Sequence, residues 1–145
     1  MNLRCAMLSA GLAVLVATLA ACATPTAGPV AADKGVFFAN IKDGDTVSSP
    51  FIVKFGVRGM SLEPAMPVGE LKENSGHHHV LINLDSIPGG QGIPFSDQHV
   101  HFGKAQTDGE FKLPPGKYKL TMQFANAAHV SYGPQMSATI GITVK

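Results

Sequence analysis

The chain has 145 residues, with 11 basic against 10 acidic side chains, and charged residues make up only 14% of it. A net charge of +1 with no Lys/Arg run gives no electrostatic footprint for nucleic acid, so that class of partner is set aside. The length leaves room for one small domain.

The first residues read as an export signal. Met1-Asn2-Leu3-Arg4 is short and weakly basic, and residues 5–19 are almost wholly apolar. That stretch is too short and too rich in small residues for a spanning helix. It ends in Leu19-Ala20-Ala21-Cys22, which matches the lipobox of bacterial lipoproteins, where the signal is cut before the cysteine and the cysteine is acylated. Residues 1–21 are then a lipoprotein signal peptide and Cys22 is the lipid anchor that holds the chain to a membrane. Ordinary cleavage after Ala21-Cys22-Ala23 is the competing reading. The lipoprotein is preferred, because a lone cysteine is otherwise wasteful in an oxidising compartment.

Cys5 leaves with the signal, so the mature domain holds no thiol for metal binding or catalysis. Several acyl chains anchor firmly, at about 0.8 kcal/mol per buried methylene. Ala23-Thr24 lacks the Asp that retains lipoproteins in the inner membrane of enteric bacteria. The expected address is therefore the periplasmic face of the outer membrane. Residues 22–33 are rich in Pro, Ala, Gly and Thr and read as a flexible tether. Residues 34–145 read as a single domain.

Within that domain, short alternating segments recur between Gly, Pro, Asp and Asn punctuation. The first strand is expected at residues 36–39, closed by the turn Lys42-Asp43-Gly44-Asp45. In the second, at 51–57, Phe51, Val53, Phe55 and Val57 share a face. Residues 59–75 read as loop, 77–84 as the third strand, 87–92 as turn or loop, and 98–102 as a very short fourth strand. After the turn Leu113-Pro114-Pro115-Gly116, residues 117–124 set Tyr118, Leu120, Met122 and Phe124 on one face. The last strand, 137–145, aligns Ala138, Ile140, Ile142 and Val144. No segment holds a capped 3.6-residue period, so no long helix is expected. The fold class is all-β, a small antiparallel immunoglobulin-like or cupredoxin-like sandwich.

The chemistry lies in the histidines. Five of the six fall in two clusters, Gly76-His77-His78-His79 and His99-Val100-His101-Phe102-Gly103, and His129 stands alone. Residues two apart on a strand share a face. His78 goes with Val80, Ile82 and Leu84 on the core face, which makes it a candidate structural histidine that needs a partner for each buried ring nitrogen. His77 and His79 then project outward, as do His99 and His101 opposite the core residues Val100 and Phe102. If the two strands are neighbours, these four imidazoles meet across the ladder. His129, in the loop after the 117–124 strand, is a further candidate ligand. The competing reading of the whole set is a polar network without metal.

No thiolate is available, so a blue-copper site is excluded, and the few carboxylates nearby (Asp85, Asp97) argue against calcium or magnesium. Histidine-rich ligation points to copper first and zinc second. Met60, Met66, Met122 and Met136 are candidate soft ligands for copper(I), although Met122 fits the core pattern better.

These motifs carry a resemblance. Val36-Phe37-Phe38 with Asp43-Gly44, the GHHH and HxHFG clusters, Leu113-Pro114-Pro115-Gly116-Lys117 and His129 resemble a family of bacterial exported proteins that share a domain of unknown function (number forty-three ninety-nine). The resemblance implies no activity. Labels such as ATPase or rod-shape protein, carried by some members, find no phosphate-binding loop and no multi-span hydropathy here. The chain departs from the family at Tyr118, where members often have histidine, and at Ser131-Tyr132-Gly133, where a second histidine is absent.

The reading that follows is a membrane-anchored periplasmic protein that binds copper, or else zinc, through His77, His79, His99, His101 and His129. The alternative is a non-catalytic module that contacts an envelope protein or glycan, its histidines only bracing loops. A metal-dependent hydrolase or oxidase ranks last, since no nucleophile elbow, triad order or paired-carboxylate motif can be argued.

Overall fold

The computed structural model describes residues 34–66 and 71–145. The expected signal, Cys22 and the expected tether lie outside the described residues. The chain forms β1 (Gly35–Phe38), β2 (Thr46–Val47), β3 (Phe51–Arg58), β4 (Ser61–Leu62), β5 (Ser75–Ile82), β6 (His99–His101), β7 (Asp108–Phe111), β8 (Gly116–Ala125) and β9 (Ser137–Val144). A single 3₁₀ turn, Pro134–Met136, precedes β9. Among the described residues no helix is long and apolar enough to cross a membrane.

Two sheets pack face to face as a β-sandwich. The smaller has the order β1-β3-β7, and the larger runs β2-β9-β8-β5-β4, with β6 also paired to β5. Period-two alternation fills the space between them. Val36, Val53, Phe55 and Phe111 meet Val80, Ile82, Leu120, Met122, Phe124, Ile142 and Val144 in one apolar cluster. Full burial of each large side chain contributes about 1.5–3 kcal/mol. The expected strands are present, with bounds shifted by one or two residues. β2, β4 and β7 were not expected from the sequence: two have only two residues each, and the four-residue β7 (Asp-Gly-Glu-Phe) lacks a strand-like composition.

His77 and His79 do project outward from the sandwich core, but the face of β5 and β8 turned away from the other sheet is not open to solvent. All eight residues of β5 are buried, and Thr121 and Gln123 of β8 are fully buried on that same far face. A flap made of two loops covers it. Ile93 N–H donates to His129 O at 2.8 Å, Gly90 N–H to Ser131 O at 2.9 Å and Ser131 N–H to Gln91 O at 2.8 Å, so the two loops pair with each other. Ile93 then packs on Leu81 and Ala125 in a second apolar cluster.

Buried polar side chains pin the flap down. Thr121 Oγ1 donates to Leu84 O at 2.8 Å. Gln123 Oε1 accepts from Ile87 N–H at 3.0 Å while its Nε2 donates to Gly133 O at 3.0 Å. Ser131 Oγ donates to Ile87 O at 2.8 Å. Each bond satisfies a group that burial would otherwise strand. Leu84 was expected on the core face with His78. Instead β5 ends at Ile82, Asn83 takes a left-handed φ of 60°, and Leu84 joins the cluster under the flap.

Candidate metal centre

The pairing of β5 and β6 decides which histidines meet. The strands are antiparallel neighbours, with His79 opposite His101 and Leu81 opposite His99. A square of four would need His77 opposite His101 and His79 opposite His99. The actual register is offset by one same-face step, so His99 lies beyond the group and bonds Ser96 Oγ through its Nδ1 at 2.7 Å.

The fourth place is filled from the flap. β8 ends at Ala125, and Asn126 builds a tight turn. Its Oδ1 accepts from the N–H groups of Ala128 and Val130, and its backbone O accepts from His129 N–H. This side-chain capping of a turn is a usual role for Asn. His129 sits in that turn with a left-handed φ of 62°. Its imidazole then hangs over β5.

His77, His79, His101 and His129 together present one ring nitrogen each, all within 4.8 Å of one another. Nε2 of His77 lies 3.0 Å from Nε2 of His79, and Nε2 of His129 lies 3.0 Å from Nε2 of His101. Ring centroids of His101 and His129 are 4.6 Å apart, and those of His79 and His129, on the longest side, 5.8 Å. An ion about 2 Å from each nitrogen in a tetrahedron requires nitrogen separations of about 3.4 Å. Two contacts of 3.0 Å and an outer bound of 4.8 Å lie on either side of that value, so the four residues could hold a single ion.

The site is graded in depth. His77 and His79 are 0% and 1% exposed, whereas His101 and His129 are half-buried and face the surface. Phe95, 71% exposed, lies edge-on to the two outer imidazoles, with centroids at 5.6 and 5.1 Å. Sequence alone gave no sign of this cap, since an isolated Phe in a Pro/Gly-rich loop resembles any other loop residue.

Burial makes the imidazoles neutral. Desolvation first, then the neighbouring His101, His129 and His78, lowers His77 to about 4. Desolvation first, and then His77, His101, His129 and His99, lowers His79 to about 2. His101 and His129 are also lowered, mainly by burial. A neutral imidazole offers a lone pair without first losing a proton, which is the form a metal requires.

In each close Nε2 pair one nitrogen carries the proton and donates to the other. Nδ1 of His77 and Nδ1 of His79 are both buried and have no partner among the described residues. Direct imidazole pairing therefore leaves one buried donor and one buried acceptor unsatisfied in the inner pair.

The other candidates lie elsewhere. His78 is fully buried between the sheets, with ring centroids 5.4 Å from Phe55 and 5.1 Å from Phe124, and neither of its ring nitrogens finds the expected partner among the described residues. Met60, Met122 and Met136 belong to the apolar cluster between the sheets. Met66 is half-buried, its backbone N–H bonded to Ala127 O at 2.9 Å. Asp85 is exposed and pairs with Lys119, and Asp97 is exposed.

No curated protein and no solved structure matches the chain. A family model does match it, from Val53 in β3 to the last residue, and so takes in every histidine of the centre. On that match over residues 53–145, the chain belongs to the family described as domain of unknown function (DUF4399).

Proposed function

We propose that this protein is a lipid-anchored, periplasm-facing binder of a transition metal, copper before zinc, serving its storage, sensing or delivery. His77, His79, His101 and His129 are the ligands. The observation that carries the reading is the convergence of four neutral imidazoles from β5, β6 and the turn after β8 on one point. The backbone of His129 adds to it. A left-handed φ costs a non-glycine residue about 1 kcal/mol or more, and an ordinary turn relieves that with Gly or Asn. Histidine there brings its imidazole against those of His101 and His77.

An all-nitrogen donor set of borderline softness, with no carboxylate among its members, supports copper and zinc over calcium or magnesium. Copper(II) heads the affinity order for such ligands. The address rests on the lipobox and on the two residues that follow it.

Calorimetric titration of tag-free protein with Cu(II), Cu(I) and Zn(II) tests the reading. One ion per chain is expected, at an affinity far tighter than millimolar and abolished on combining His77→Ala with His101→Ala. Dissociation constants weaker than millimolar, or unchanged in the double variant, overturn it.

A second reading has its own support. The two Nε2 contacts of 3.0 Å are hydrogen bonds in their own right: one links His77 and His79 within β5, and the other ties the flap to β6. On that reading the protein is an envelope interaction module. The same double substitution then lowers the melting temperature of metal-free protein, whereas a metal centre predicts little loss in the absence of metal.

A further inference from the structure

We propose that Gly103 is a positioning residue of the histidine centre, and that the space left by its missing side chain lets His101 reach both inner imidazoles at once. The inference rests on the metal reading for its binding measurements, but its geometry stands apart from it. The register of β5 and β6 continues one step past the strand, since Phe102 N–H donates to His78 O at 3.1 Å. With His79 opposite His101, the next same-face rung sets Gly103 opposite His77. A side chain there would stand where the fourth imidazole of a square belongs.

The imidazole of His101 occupies that space. A Cβ placed on Gly103 would lie 2.2 Å from both Cε1 and Nε2 of His101 and 3.1 Å from the Cβ of Ala65. No carbon atom approaches that closely without moving its neighbour. Leaning over Gly103, the His101 ring comes to 5.0 Å from His77 and 5.0 Å from His79 between centroids, and its Nε2 meets that of His129. A ring standing upright on its own rung would face His79 alone.

Gly103 differs here from Gly44 and Gly90, which have φ values of 84° and 82° and nothing within 4 Å of an added Cβ. Those two answer to backbone conformation. Gly103 carries no left-handed φ, so alanine fits its backbone, and what its Cβ meets first is the histidine ring and then Ala65. The role belongs to the close of the His-x-His-Phe-Gly motif. It completes the account of why His101 is a ligand while His99, on the same face, is not.

The test compares Gly103→Ala, His101→Ala and the double variant of the full chain. Two-bond imidazole NMR of metal-free Gly103→Ala should show the His101 ring displaced, with the hydrogen bond between the His101 and His129 rings broken and the signals of His77 and His79 shifted. Its Cu(II) affinity should fall about 10-fold or more, as when an orienting group is removed from a metal ligand. Its electron paramagnetic resonance should show one coupled nitrogen fewer. In the His101→Ala background the alanine should have no further effect on affinity. If Gly103→Ala unfolds the protein, removing the ring should rescue it, and the double variant should be as stable as His101→Ala. An unshifted His101 ring in metal-free Gly103→Ala overturns the proposal, as does a full additive loss of affinity or of stability in the double variant. Should the wild type bind no copper, the metal reading falls, and the metal-free NMR alone still decides the role of Gly103.

Discussion

At the scale of single residues, His129 and His78 are each held where another residue would be more comfortable, for opposite reasons. The φ of 62° at His129 is a conformation that glycine adopts freely. His129→Gly should therefore leave metal-free stability unchanged or raise it by about 1 kcal/mol, while metal affinity falls. Chemical denaturation beside a metal titration checks both, and a clear loss of metal-free stability would favour the bracing network instead. His78 buries two ring nitrogens among aromatic rings, with no partner for either among the described residues. A buried donor without an acceptor costs about 1–3 kcal/mol. His78→Leu, close in volume, should stabilise the fold by that order and leave copper binding intact. Destabilisation measured by urea unfolding would show that those nitrogens are used.

At the scale of elements, period-two alternation made the faces of β5, β6, β8 and β9 legible, and with them the separation of His78 from His77 and His79. Register was not legible. The sequence shows two His-x-His pairs, but nothing in it says that His79 rather than His77 lies opposite His101. The flap was illegible for a related reason. Its loops have the Pro/Gly composition of any surface connection, and what buries them is the long-range bonding of Gln123, Thr121 and Ser131. β7 was missed because its Gly and acidic residues argue against a strand until β3 pairs with it. The offset register makes a direct statement about β6. His99→Ala should change copper affinity by no more than about threefold, whereas His101→Ala should weaken it by about 10-fold or more, comparable to other disruptions of a metal shell. Equal losses in the two variants, measured by competition with a chelator, would mean that the ladder is paired otherwise.

At the scale of the whole molecule, burying neutral histidines links the fold to pH. Burial lowers His77 and His78 to about 4 and His79 to about 2, whereas unfolded histidine titrates near 6.5. Above about pH 6.5 both states are neutral and stability is whole. As pH falls below that, the unfolded chain takes up protons that the folded chain refuses. Each such histidine then withdraws up to about 1.4 kcal/mol of stability per pH unit. The loss from His77 and His78 continues to about pH 4, and that from His79 further down. Metal-free protein should thus have a urea midpoint that drops steeply between pH 7 and pH 5. A flat midpoint across that range would mean that these imidazoles are not buried neutral.

The central claim is that one ion joins β5, β6 and the turn after β8 through four imidazoles. X-ray absorption at the copper edge of the loaded full chain reads that shell directly. The expected result is one copper per chain with a first shell of nitrogen only, at about 2.0 Å, and the outer-shell scattering of four imidazoles. A sulfur scatterer, fewer than three imidazoles, or no stoichiometric copper would contradict it.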